Sequence, residues 1–433
     1  MPTISRRGVL KCVGATATTA TLTGCIGGFG SGGGEDSLSF WSEFWDAEER
    51  ADFREWYGEK IETETDRSWE FTDYSYADLR QNVLTKGRTG TPDVIEGVAE
   101  HPGDYVEADL LEPITDRMDD VDYADGFLEN ALDAFRFDGE QWALPYVGNG
   151  RALVYRQDVL DEYGFEPPET AEDLLDIGSE IHANEDMNGF HLTTEKGEVR
   201  ATQEFLSHVY QHVDELWVFE DDAWRYEGSP DVFGTVLNTF YYRPFHGDRQ
   251  TTSASARGAR WEANDQGYAR GDHAMIECGP WIADMAESDE EEEVVREKTG
   301  IAMLPYADGG EAGTYLEVKP VMLNANSNDL DAAWEALTLF TNPDSIQRWA
   351  EESQSDLYTP VHDDIESTLD IDSYESFQDA FEAGTPPAPI EWGPVRDEIY
   401  TAIQEVIYGD TDPHDAGEQL HGALGEVESE LNE

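Results

Sequence analysis

The chain has 433 residues, enough for two domains of roughly 150 to 200 residues each, and a hydrophobic content of 39% with 12 Trp excludes a disordered acidic chain. Its 95 Asp and Glu against 27 Lys and Arg give a formal net charge of -68, which excludes nucleic acid as a partner and any electrostatic grip on anionic lipid. Carboxylates spread along the whole sequence describe a surface for very salty surroundings, where ions screen a self-repulsion that otherwise strains the fold.

The first segment differs in character from the rest. Arg6 and Arg7 form a basic patch, Val9 to Leu22 is mildly apolar and rich in Ala and Thr, and Leu22-Thr23-Gly24-Cys25 follows. The apolar part is too short and too polar to span a bilayer stably. SRRGVLK looks like a twin-arginine export signal, and LTGC looks like a lipobox whose Cys25 takes a lipid after cleavage. Residues 1–25 are therefore expected to be a signal and 26–35 a flexible tether. The body is expected outside the cell, anchored at the external face of the cytoplasmic membrane. Of the three cysteines, only Cys278 lies in the body, so an internal disulfide is impossible there. Within AMIECGP, with no His base assigned to it, Cys278 reads as a buried inert thiol.

DSLSFWSEFW reads as a strand from Leu38 ending in aromatics. DAEERADFREWYGEK opens on a capping box, Asp46 and Glu49, and continues as a helix with Ala47, Ala51, Phe53, Trp56 and Tyr57 as its apolar stripe. A second helix, a Gly-rich turn and a short buried strand around Asp93 to Glu96 follow, and this alternation favours an open α/β sheet. Further on come a strand from Ala152 to Tyr155, a double-proline loop, a helix with Thr170 as N-cap, and a strand from Ala274 to Glu277 leading into a helix through Gly279-Pro280. The run ESDEEEE, Glu287 to Glu293, is a solvated turn or helix start. His208 and His212, four apart in FLSHVYQHVDE, read as a surface helix and not as a zinc site, because no third ligand is evident. The stretch from His246 to Trp261 is expected to be an exposed loop. Trp334, Leu337 and Leu339 mark a packed helix, and a last long helix is expected after Pro394, with Val395, Ile399, Ala402, Ile403 and Val406 on one face and Gly409 beyond its end.

The segments TPDVIEG, DYVEADLLEPIT, DGEQWALPY, LVYRQDVLDEYGFEPPETAEDL, GDHAMIECGPW and IEWGPVRDEIYTAIQEVIYGD stand in this order along the body. In them the chain resembles the extracellular solute-binding proteins of ABC importers, in the large carbohydrate-binding branch that includes the maltose-binding protein, here as a haloarchaeal-type lipoprotein. The resemblance implies an α/β, two-lobe periplasmic-binding-protein-like fold (type II) with a hinge and an interlobe cleft. It places residues 36–147 with 315–370 in an N-terminal lobe and 148–314 with 371–433 in a C-terminal lobe. It also implies capture of a carbohydrate ligand without chemistry on it, no cofactor, and delivery to ABC permease transmembrane subunits served by a separate ATPase. The protein is expected to act as a monomer.

A sugar presents C–H surface on its ring faces and hydroxyls at its edge, so its site needs flat aromatics and oriented polar groups. Trp41, Trp45, Trp281 and Trp392 stand at element termini, and the resemblance favours Trp281 and Trp392 as stacking platforms. For hydroxyls it points to Glu43 and Asp46 after the first strand, Glu96, Glu100 with neighbouring His101, and Asn149, where a close relative has a carboxylate. Tyr146, after Leu-Pro, is expected to line the cleft, and only Arg151 is a cation close to the lobe crossing. Two rivals stand beside this reading. The same scaffold could hold a phosphorylated polyol or a metal ion, which would want clustered Arg or converging His and carboxylates. An extracellular glycoside hydrolase would also need aromatics and a carboxylate pair.

Overall fold

The computed structural model describes residues 37–42, 51–74, 76–220, 223–352, 359–366 and 375–432. In chain order its strands are β1 (Ser37–Ser42), β2 (Ser68–Asp73), β3 (Val94–Glu96), β4 (Arg136–Phe137), β5 (Glu140–Gln141), β6 (Leu144–Gly150), β7 (Ala152–Arg156), β8 (Trp217–Glu220), β9 (Ala223–Tyr226), β10 (Met275–Cys278), β11 (Thr299–Ala302), β12 (Thr314–Leu323) and β13 (Gly384–Thr385).

All but the first residue of β1 are buried, and a strand with no wet face belongs inside a sheet. It pairs in parallel with β2 on one side and with β3 on the other. The sheet continues through β12, which runs antiparallel to β3 and β6 and parallel to β13. A second, three-stranded sheet has the order β10-β7-β11, both pairings antiparallel. One residue, Arg151, separates β6 of the first sheet from β7 of the second, so the chain passes between sheets almost without a turn. The approach is close: a Cβ on Gly150 would lie 2.5 Å from the Ala380 carbonyl group, which only glycine avoids.

The hydrophobic interior is divided. One core gathers β1, β3, β6 and most of β12 with the helices Ala51–Thr65 and Leu330–Thr341, around Phe40, Tyr57, Tyr146, Phe340 and Trp349. A second joins Leu153 and Tyr155 of β7 to Leu174, Phe205, Tyr241, Val395 and Leu420 from the helices on that face of the second sheet. A smaller one lies beside β10, with Ile276, Cys278, Ile282 and Phe377. Each large apolar side chain buried there contributes roughly 1.5–3 kcal/mol. Cys278 is indeed buried and free, and burial pushes its thiol well above the usual range.

Local signals set several helix ends. The Thr170 hydroxyl accepts from the Asp173 N–H at 3.2 Å, and Ser288 opens the helix Asp289–Glu297, whose acidic first turn faces the positive end of the helix dipole. Three expectations need correction. The last-but-one helix, Trp392–Tyr408, begins two residues before Pro394. Proline is tolerated in that first turn because its missing N–H has no intrahelical acceptor. His208 is not on a surface: it is 1% exposed, because the helix Val199–Tyr210 is buried on every side, and its ring stacks on Phe240 at 3.5 Å. His212 lies beyond that helix. Within the segment from His246 to Trp261, only half of whose residues are exposed, Thr251 and Thr252 are buried. Among the described residues no group of three or more His, Cys, Asp or Glu is arranged to hold a metal ion.

Candidate ligand-binding site

The carboxyl ends of parallel strands are where open α/β sheets leave a crevice for ligands. Here β1 and β3 end at Ser42 and Glu96. Glu96 is fully buried; its Oε2 accepts from Ser42 Oγ at 2.6 Å and its Oε1 from the Tyr146 hydroxyl at 2.7 Å. The carboxylate thus ties together β1, β3 and β6, and Tyr146 sits in the first core with its ring against Phe340 and Trp349.

Four residues on, Glu100 accepts from the Tyr315 hydroxyl at 3.1 Å and pairs with Arg396 Nη2 at 3.0 Å. These contacts bridge the loop after β3, the start of β12 and the helix Trp392–Tyr408. His101 opens the helix His101–Glu107. Burial, with the positive charges of Lys319, Arg80 and Arg396 nearby, pushes its imidazole down to about 3, so it is neutral at ordinary pH.

Asn149 stands directly across from Glu317 in the β6–β12 register. Glu317 and Lys319, two apart on β12, share one face of the strand, and their charged groups meet at 2.9 Å. Burial pushes the Glu317 carboxyl up, but Lys319 and Arg151 outweigh it and hold the group below its ordinary value. Arg151 lies 3.6 Å from Glu317 Oε2 and donates from Nη2 to Gln203 Oε1.

The guanidinium of Arg151 also lies 4.5 Å above the ring of Trp281, with that of Arg200 5.2 Å from the same ring. Trp281 is half-buried and its Nε1 donates to Asp265 Oδ2 at 2.8 Å. Arg200 Nη1 donates to that same oxygen at 2.8 Å, and its Nε to Glu204 Oε1 at 2.8 Å. Burial pushes the Glu204 carboxyl up against the pull of Arg200.

Of the residues singled out in the sequence, Glu96 with Tyr146, Glu100 with His101, and Asn149 with Trp281, the last two reached through Glu317 and Arg151, form a seam of three polar groups beside β6 and β12. Two lie elsewhere. Trp392 is 3% exposed in the second core, its Nε1 donating to the Ala388 carbonyl at 2.8 Å. Trp41 is buried in the first core against Tyr74, with Lys86 over its ring. Glu43, Trp45, Asp46 and Cys25 lie outside the described residues. Arg200, Gln203, Asp265, Tyr315, Glu317, Lys319 and Arg396 were not singled out, and Arg151 is accompanied at the seam by Arg200, Lys319 and Arg396. Glu317 and Lys319 carried a signal: charges two apart within an otherwise apolar strand.

A separate crevice of about 440 Å³ lies between Phe137 and Asp138 of the β4–β5 hairpin, Trp217, Phe219 and Trp224 of the β8–β9 hairpin, and the run Pro386–Pro389. None of the residues singled out for ligand contact lines it.

The sequence pattern of bacterial extracellular solute-binding proteins matches residues 56–379. The chain belongs to that family. This solute-binding protein is 24% identical over 320 residues to a putative binding protein of Brucella abortus (strain 2308), an alignment covering 72% of the chain and 73% of the relative. It is also 24% identical to a maltotriose-binding protein of Pyrococcus abyssi (strain GE5 / Orsay), over 73% of this chain and 66% of that one. Among solved structures it is similar to the Thermus thermophilus maltotriose-binding protein bound with maltotriose, with a TM-score of 0.68, 18% identity, and coverage of 90% and 99% of the two chains. The mixed α/β architecture is thus the two-lobe solute-binding fold.

Proposed function

We propose that the protein captures a sugar or short oligosaccharide between its two lobes and hands it, unaltered, to the transmembrane subunits of an ABC importer. The observation that carries this reading is Trp281, an indole fixed by Asp265 and bordered by a seam of buried hydrogen-bonding side chains, the combination that a ring with one apolar face and a hydroxyl edge requires. The name of the Pyrococcus relative points to the same class of solute. In this reading Glu96, Glu100, His101 and Tyr146 serve the first lobe's side of the cleft and Asn149 and Trp281 the other, with Glu43, Trp45 and Asp46 as further contacts, while Trp41 and Trp392, each buried in a core, give the two lobes their stability. The lobes comprise residues 36–147 with 315–370 and 148–314 with 371–433. The monomeric body is held by a lipid on Cys25 after twin-arginine export and works in concentrated salt. Closure of hinged lobes excludes water and strengthens each hydrogen bond, which gives micromolar or tighter affinity from neutral contacts.

A thermal-shift screen in molar KCl against maltose, maltotriose, lactose, ribitol, glycerol 3-phosphate and divalent cations tests this, because a ligand preferring the folded state raises the midpoint. Stabilisation by saccharides is the expected outcome. Stabilisation only by the phosphate ester or a metal ion would replace the substrate class.

A further inference from the structure

We infer that Arg151 is a ligand-contacting, specificity-determining residue that offers hydrogen-bond donors to sugar oxygens over the face of Trp281. The inference rests on the carbohydrate reading above and goes beyond it by naming a residue at the hinge that no resemblance assigned to the ligand.

A guanidinium carries five N–H donors and no acceptor, and removing it from water is costly unless those donors are answered. The side chain of Arg151 is 3% exposed. Its Nη2 donates to Gln203 Oε1, but Nε and Nη1 make no hydrogen bond to any group among the described residues. The Glu317 carboxylate, at 3.6 Å, balances its charge from beyond hydrogen-bond distance and is itself held by Lys319 at 2.9 Å. What Arg151 lacks is acceptor atoms, not a counter-charge. The class of ligand that follows is neutral and rich in oxygen acceptors.

Geometry sets where those acceptors should lie. Arg151 is the single residue joining β6 to β7, so its backbone is held by both sheets. Its guanidinium is 4.5 Å above the indole of Trp281, whose Nε1 is pinned by Asp265 at 2.8 Å. A pyranose edge meeting the margin of that indole would bring ring hydroxyls to Nε or Nη1. A hydrogen bond from a charged donor in a closed, dry cleft discriminates strongly against a sugar lacking the matching oxygen.

The test compares the full-length mature protein with Arg151→Met, which keeps the aliphatic stem over Trp281 and removes all donors, and with Arg151→Lys, which keeps the charge in a different geometry. Calorimetric titration in molar KCl uses maltose and its set of monodeoxy analogues. The expected result is that Arg151→Met weakens maltose binding by about tenfold to a hundredfold, with Arg151→Lys between it and the parent. At least one monodeoxy maltose should lose affinity for the parent yet bind Arg151→Met as well as maltose does, a pattern that a merely structural role would not produce. If Arg151→Met does not fold, Arg151→Gln is put through the same deoxy comparison. Maltose affinity within threefold of the parent in Arg151→Met, equal affinity of Arg151→Lys and the parent, or the same deoxy profile in parent and variant overturns the role of Arg151 alone. Failure of the parent to bind any saccharide in the screen overturns the carbohydrate reading with it.

Discussion

Glu100 Oε2 and Arg396 Nη2 lie 3.0 Å apart, joining the loop after β3 to the helix Trp392–Tyr408. With side-chain exposures of 8% and 20%, the pair is sheltered enough to matter, unlike an ion pair in open water. Replacing Glu100 by Gln leaves the Arg396 charge without this counterion. The expected loss is about 1–3 kcal/mol of unfolding free energy, read as a lower midpoint in urea at fixed salt. An unchanged midpoint would mean that the contact is energetically silent.

Trp281→Ala removes the flat surface and leaves Asp265 Oδ2 to Arg200 alone. Saccharide affinity should fall by about tenfold to a hundredfold, while Trp392→Phe, a change inside the second core, should chiefly lower stability. Titration and thermal melts of the two variants separate these effects. Equal affinity in Trp281→Ala and the parent would remove Trp281 from the ligand.

Gly103 lies against the backbone before the helix Trp392–Tyr408: a Cβ there would come 2.2 Å from the Pro389 carbonyl oxygen. Backbone cannot rotate out of the way as a side chain can, so Gly103→Ala must push the helix His101–Glu107 off the Pro389–Ile390 segment. Overpacking of this kind costs about 1–3 kcal/mol. Saccharide binding should weaken by up to about a hundredfold, with a larger radius of gyration by X-ray scattering in the presence of saturating sugar. Unchanged affinity would show that the contact is not part of the bound state.

What the sequence reveals and conceals follows from the range of each interaction. Thr170 as an N-cap and Gly409 in the left-handed conformation at φ 75 depend on neighbours within a turn, and both stand out in the sequence. The strands around Leu153 and Ile276 are marked by their own apolar runs, within one residue of their observed ends. The charged seam is different. His208 meets Glu277 at 3.4 Å and Trp281 is held by Asp265, which in turn holds Arg200; partners so far apart in sequence give no local pattern. Among so many carboxylates, those that are buried look no different from those that are solvated. Trp281 and Trp392 carry similar local cues, with a glycine and a proline close by, yet one borders the polar seam and the other fills a core.

His101 makes stability depend on pH. Its imidazole takes up a proton only near pH 3 in the folded protein, against 6.5 in an unfolded chain. Between these values the unfolded chain binds more protons, so the full contribution is present above pH 6.5 and is lost as pH falls toward 3. Burial likewise lowers His191 and His273, so part of the slope belongs to them. From pH 7 to pH 5, His101 alone should account for about 2 kcal/mol, and His101→Gln should flatten the urea-midpoint profile by that amount in molar KCl, where surface repulsion is screened. A profile of undiminished slope would place the titration elsewhere.

The central claim is that this solute-binding protein holds a saccharide at the seam around Trp281 without altering it. Isothermal titration of the mature protein with maltotriose in molar KCl, followed by chromatography of the recovered sugar, tests it most directly. Saturable binding at one site, in the micromolar range or tighter, lost in Trp281→Ala, and quantitative recovery of intact maltotriose are the expected results. Heat-silent mixing with every saccharide offered, or recovery of glucose and maltose in its place, would contradict the account.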